Sequence, residues 1–182
     1  MKIFIGCSSS DEIDRNYLIE SEKYLEKIFA EDNDLVFGAC NKGIMGSAYK
    51  AAIKNKRQVI SLCTKAYQDD LNMLNSNESL ITNSIMERTE KLLNICDAIV
   101  FLPGGVGTMC ELFSAIDSKR TKEFDKPIII YNINNYFDDA INMLNKIYKE
   151  KFSDESIRDC YHISTSYEDT IDYLNNYEKQ HI

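Results

Sequence analysis

The chain has 182 residues, 44% hydrophobic and 27% charged, with a formal net charge of −8. That length and balance suit one soluble globular domain, residues 1–182, with a substantial buried core. The acidic balance excludes a general nucleic-acid-binding surface and leaves room for a small anionic ligand held by a few backbone N–H groups.

"KIFIG" at residues 2–6 reads as a short buried strand. Ile13, Tyr17, Tyr24 and Ile28, with Leu18 and Leu25 beside them, then form a helical stripe. "DLVFG" at 34–38 is a second strand, followed by "ACNKGIMG" and a small-residue helix bearing Ala48, Ala51 and Ala52. "QVISL" at 58–62 is a third strand. The asparagine-rich stretch 69–83 is read as a loop over a site, with "AYQDDLNML" able to form a short helix. "DAIVFL" at 97–102 and "PIIIY" at 127–131 are the clearest later strands. Helical spacing follows each, in Met109, Leu112, Phe113 and Ile116, and in Phe137, Ile141, Leu144 and Tyr148. A weak strand around "CYHIS" precedes a terminal helix over 167–177.

Continuous apolar runs suit parallel strands covered on both faces. Repeated strand-then-helix units therefore predict an α/β fold: a Rossmann-like open, mostly parallel sheet of five to seven strands with helices on both faces. No run approaches about 18 apolar residues, so no membrane span is expected. The apolar run in "MKIFIGCSSSDE" is too short for a signal peptide, and a cytoplasmic protein is expected. The six cysteines are spread singly, without a CxxC pair, and read as reduced thiols. His162 and His181 have no metal-ligand partner at familiar spacing, so neither a zinc site nor a histidine-based hydrolase is expected.

In such sheets ligands gather outside the carboxyl ends of the strands. Three loops there are rich in small residues: "GCSSSD", "GACNKGIMG" and "PGGVGT". Neither GxGxxG nor GxxxxGK[ST] is present, which disfavours a nicotinamide enzyme and a P-loop NTPase. Any one of these loops can be a plain tight turn, and serines at a helix start often only cap it. Three together, on one face, point to a phosphate cradle. Glu111 carries two readings. "TMCE" is a T-x-x-E capping box with Thr108 as N-cap and Glu111 at N3, yet such a carboxylate can also point into a cleft. Arg88, in "NSIMERTEKLL", reads on composition as a solvated surface group.

Taken together, "PGGVGTMCE" resembles the PGGxGTxxE signature of the "lonely guy" (LOG) family of cytokinin-activating phosphoribohydrolases, long labelled lysine decarboxylases. The resemblance extends over nearly the whole chain, through "KIFIGCSSS", "LVFGACNKGIMG" and "KPIIIYNINNYFDDAINML". It implies that Gly104, Gly105, Gly107 and Thr108 hold a 5′-phosphate, helped by the loop with Gly43 and Gly46 and by Ser8 and Ser9. It also implies that Glu111 is the catalytic carboxylate and Arg88 its catalytic partner. The implied substrate is a nucleoside 5′-monophosphate, AMP or an N6-modified AMP, cleaved to free base and ribose 5-phosphate by a homodimer without a metal or cofactor. Two departures stand out. The family's MHERK segment is "IMERT" here, with Met86 for histidine and Thr89 for lysine, and its triple-glycine loop is Gly38–Ala39–Cys40.

N-glycosidic cleavage builds positive charge on the ribose, which a carboxylate near C1′ stabilises, while arginine fixes phosphate and sugar. A non-catalytic nucleotide-binding or sensing protein, and a glycosidase for pyrimidine nucleotides, stay open as alternatives on the same fold. The base is unassigned: Met86, Phe4 and Tyr67 are pocket candidates, with Phe4 better suited to the core.

Overall fold

In the computed structural model, residues 1–180 are described; His181 lies outside them. The parallel strands are β1 (Lys2–Gly6), β2 (Asp34–Phe37), β3 (Val59–Thr64), β4 (Glu78–Thr82), β5 (Ala98–Phe101), β6 (Ile128–Tyr131) and β7 (His162–Ser164). They form one seven-stranded sheet in the order β4-β3-β2-β1-β5-β6-β7. Between them run α1 (Arg15–Ala30), α2 (Gly43–Lys54), α3 (Gln68–Asn72), α4 (Ile85–Ile95), α5 (Val106–Arg120) and α6 (Asp138–Lys149), and α7 (Tyr167–Gln180) closes the chain.

Alternation along β1 explains the two helical layers. Ile3 and Ile5 face a core shared with Tyr24, Leu25 and Ile28 of α1, Ala48 and Ala52 of α2, and Leu174 of α7. Phe4 faces the opposite core, with Leu92 of α4, Leu112 and Ile116 of α5, and Leu144 of α6. Each fully buried aliphatic contributes roughly 1.5–3 kcal/mol. Phe4 is therefore a core residue, 0% exposed. No helix among the described residues is long and apolar enough to cross a membrane. All six cysteines are free.

The stretch 69–83 is more regular than a loop. A 3-10 turn at Lys65–Tyr67 leads into α3, and Glu78–Thr82 pairs with β3 as the parallel edge strand β4. Its residues are mostly exposed, so it lacks the continuous apolar run that marks the central strands.

The strand order places β1 between β2 and β5, and the connections leaving β1 and β5 run toward opposite edges of the sheet. That reversal opens a crevice at the carboxyl ends of β1 and β5. Both the serine loop and the "PGGVGT" loop lie there.

Candidate functional site

The two loops at the crevice are tied to each other. The Ser8 N–H donates to the Pro103 carbonyl at 3.0 Å, and the Leu102 N–H donates to the Gly6 carbonyl at 2.9 Å. Ser8 is buried and its hydroxyl accepts from the Ser10 N–H at 3.1 Å, whereas Ser9 is exposed. The Tyr136 hydroxyl donates to the Gly104 carbonyl at 2.5 Å, fixing the other loop from the side of α6.

Helix α5 starts at Val106, one turn earlier than a capping box at Thr108 and Glu111 requires. Its N-cap is Gly105, which offers no side-chain cap. The box fails because Gly104 and Gly105 let the chain enter the helix early. Thr108 thus lies inside the first turn, where its side chain packs on Gly104: a Cβ on Gly104 would stand 2.1 Å from Thr108 Oγ1. The first N–H groups of a helix have no intrahelical partner, and Gly105 and Gly107 expose this end to the cleft. The N-terminus of α5 is accordingly an anion-attracting surface.

Glu111 falls in the second turn, where it caps nothing. It is 3% exposed and accepts from Arg88 Nη2 at 2.6 Å. Burial pushes its carboxyl up from 4.5 to about 7, and the Arg88 guanidinium opposes that rise. Arg88 is not a solvated surface group: its side chain is 16% exposed. Its guanidinium Nε is buried without a hydrogen-bond partner among the described residues. The side-chain cap of this region is instead Ser84, with Glu87 at N3 reaching back past it to Asn83. The Ser84 hydroxyl accepts from the Glu87 N–H at 3.1 Å, and the Glu87 carboxylate accepts from the Asn83 N–H at 2.9 Å. That cap fixes the first turn of α4 and with it the direction of Arg88.

Gly43 and Gly46 stand behind the site and do not line it. Gly43 adopts φ +57°, and its N–H is taken by Asp11 Oδ1 at 2.7 Å. A Cβ there would meet the Ser10 carbonyl at 2.5 Å, and one on Gly46 would meet the Asn41 carbonyl at 2.3 Å. The Met45 N–H donates to the Ser8 carbonyl at 3.0 Å. The start of α2 thus holds the serine loop in place, its glycines serving close backbone approach.

Ser8, Ser9, Gly105, Gly107, Thr108 and Glu111 share one cleft of about 390 Å³ with Arg88. Gly104 is buried beneath it. Ala39 and Cys40 also line the cleft, Ala39 with a left-handed φ of 58° that a glycine would adopt without strain. Sequence reasoning missed Met45, Thr64, Asp70 and Ile85 at the cleft; nothing in an irregular polar stretch or an apolar helix face marks such residues in advance. Met86 and Thr89 border a separate groove of about 440 Å³, lined from α4 and α5.

Residues 45–174 match the family described as possible lysine decarboxylase. A probable cytokinin riboside 5′-monophosphate phosphoribohydrolase of Oryza sativa subsp. japonica is 24% identical over 181 residues, 99% of this chain and 72% of that protein. A cytokinin riboside 5′-monophosphate phosphoribohydrolase of Arabidopsis thaliana is likewise 24% identical over 181 residues, 99% of this chain and 84% of that one. Among solved structures, the molybdenum cofactor carrier protein of Chlamydomonas reinhardtii superposes with a TM-score of 0.72 at 15% identity, covering 98% of both chains. At that identity the superposition bears on the fold.

Proposed function

The chain belongs to the lonely guy family, the family described as possible lysine decarboxylase, and on that premise we propose that it hydrolyses the N-glycosidic bond of a nucleoside 5′-monophosphate. The observation that carries the reading is one cleft holding a buried Arg88–Glu111 pair beside the uncapped N-terminus of α5. An anion-attracting helix end suits the 5′-phosphate. A carboxylate one further turn along α5 suits the ribose, where positive charge develops as the C1′–N bond breaks.

In this scheme water attacks C1′ while the bonding electron pair leaves with the base, whose nitrogen takes a proton from solvent, giving free base and ribose 5-phosphate. Glu111, with its carboxyl near neutrality, orients the water and takes up its proton. Arg88 fixes sugar and phosphate through its planar donor fork. The Ser8 and Ser9 loop closes the phosphate end, with Gly105, Gly107 and Thr108 presenting backbone donors.

Amino-acid decarboxylation through pyridoxal phosphate fits the cleft poorly. Such enzymes bind the cofactor as a lysine Schiff base, and no lysine lines the cleft. AMP and N6-substituted AMP are the proposed substrates, supported by the cytokinin riboside 5′-monophosphate phosphoribohydrolase activity for which the plant relatives are named. We extend the reading to a homodimer, as the family resemblance implies, and to a cytoplasmic location, as expected from the sequence; sedimentation checks the assembly. The deciding experiment is a product assay across AMP, N6-substituted AMP, GMP, CMP and UMP. Release of base and ribose 5-phosphate from the adenine nucleotides is expected. Saturable binding without base release from any of the five would replace the enzyme with a nucleotide sensor.

A further inference from the structure

The cleft runs along the carboxyl ends of four adjacent strands, and its groups fall in strand order. Gly105–Thr108 follow β5. Glu111 sits over the end of β1, its Oε2 3.5 Å from where a Cβ on Gly6 would stand. Arg88 sits over the end of β2, its Nη1 3.1 Å from a Cβ placed on Gly38. Thr64 at the end of β3, and Tyr67 and Asp70 after it, come last. From β5 to β3 is three strand spacings, about 14 Å, a span on the scale of an extended mononucleotide. With phosphate at α5 and ribose at the Arg88–Glu111 pair, the base falls at Tyr67 and Asp70.

Resting on the nucleotide reading of this cleft, we infer that Asp70 and Tyr67 form the base subsite and select a base with an exocyclic amino group at the purine 6 or pyrimidine 4 position. The Asp70 side chain is partly buried in the cleft wall and has no hydrogen-bond or ion-pair partner among the described residues. The same cleft wall carries apolar Met45 and Ile85. A carboxylate so placed is acceptor-only, half-buried and without a partner among the described residues, so it is open to a donor on a bound base. An exocyclic amino group donates to it. A carbonyl in the same position sets lone pair against lone pair. An N6-substituted adenine retains one N–H and meets the same requirement. Tyr67, 58% exposed, supplies a flat apolar ring at the mouth on which a base can stack. The Asp70 charge also repels phosphate from this end, which fixes the ligand's direction along the cleft.

The test is calorimetric titration with AMP and IMP, which differ at the purine 6 position. It is run in a Glu111→Gln background so that nucleotide persists, with and without Asp70→Asn. With Asp70 present, AMP should bind at least tenfold tighter than IMP. Asp70→Asn should shrink that ratio at least tenfold, because an amide donates to a carbonyl as readily as it accepts from an amino group. Tyr67→Ala should weaken both nucleotides alike. Equal affinity for AMP and IMP with Asp70 in place overturns the inference without any Asp70 variant. An unchanged ratio in an Asp70→Asn protein with a cooperative melt overturns it too. Because the readout is binding, selective AMP affinity without base release from the parent would remove the hydrolase reading and leave this subsite standing.

Discussion

Arg88 and Glu111, 23 residues apart in sequence, meet through a 2.6 Å hydrogen bond at the cleft, one from the first turn of α4 and the other from the second turn of α5. Both side chains are largely buried. Truncating one partner of a buried pair leaves the other uncompensated, at a cost of about 3–5 kcal/mol, whereas an isosteric change that keeps the hydrogen bond to Arg88 avoids most of it. Nothing in helix capping requires that arrangement, since the N-cap position of α5 is Gly105 and Glu111 lies a turn inside the helix. The pair is therefore where substitutions separate function from folding.

Glu111→Gln keeps the size of the side chain and an oxygen for Arg88, and it disturbs no cap. At pH 7 its melting temperature should stay close to the parent's and AMP should still bind. Base release should fall by about 100-fold or more, the effect of losing a positioned catalytic group. A folded variant that hydrolyses AMP like the parent would strip Glu111 of its catalytic role.

The raised Glu111 carboxyl predicts two opposite pH trends. Its folded value of about 7 lies above the ordinary 4.5, so the fold binds its proton more tightly than the unfolded chain does. That stabilisation is complete below about 4.5 and is lost as pH rises through about 7, a swing on the order of 3 kcal/mol. The parent's melting temperature should therefore decline relative to Glu111→Gln across this window. Activity should run the other way, kcat/KM for AMP rising to about pH 7 and levelling as the carboxylate ionises. Parallel melting curves for the two proteins from pH 4.5 to 8 would contradict the shifted carboxyl.

Much of this was legible in sequence, for identifiable reasons. The central strands carry continuous apolar runs because helices cover both faces, and they read correctly. The edge strand β4 did not, because "ESLIT" is solvated along most of its length. "TMCE" matched a capping box that three-dimensional context overrides: glycines at 104 and 105 start the helix before Thr108 can cap it. The true side-chain cap, Ser84 of "SIME", went unnoticed beside it. Arg88 looked like any helical arginine, and its burial comes from α4 packing over β1, β2 and β3 while Glu111 approaches from α5. Such convergence is a property of topology that no local pattern encodes.

Arg88→Lys and Arg88→Ala should resemble each other in activity. Lysine keeps the charge but lacks the planar fork that holds a sugar and a carboxylate at once. Each should lower kcat/KM for AMP by about 100-fold or more. Removing the cation also removes the opposition to burial at Glu111, so Arg88→Ala should move the acidic limb of any residual rate profile above pH 7. Recovery of most activity in Arg88→Lys would show that charge alone suffices.

The glycines offer the sharpest division between shape and recognition. Around Gly107 nothing lies within 4 Å of a Cβ added there. It sits in the first turn of α5, where alanine is the better helix former by up to about 1 kcal/mol. Gly107→Ala should therefore fold as well as the parent or slightly better. On the proposed reading its methyl nevertheless enters the space assigned to phosphate beside the helix N–H groups. AMP should consequently bind at least tenfold more weakly, while adenosine, which lacks phosphate, binds as before. Gly46→Ala is the converse case. There a Cβ meets the Asn41 carbonyl at 2.3 Å, behind the cleft. The clash should cost about 1–3 kcal/mol of stability, and the remaining folded protein should keep the parent's preference for AMP over adenosine. Thermal melts paired with calorimetry of both ligands resolve the two effects. A stable Gly107→Ala protein that binds AMP like the parent would move phosphate away from the start of α5, and the proposed direction of the nucleotide along the strand ends would fall with it.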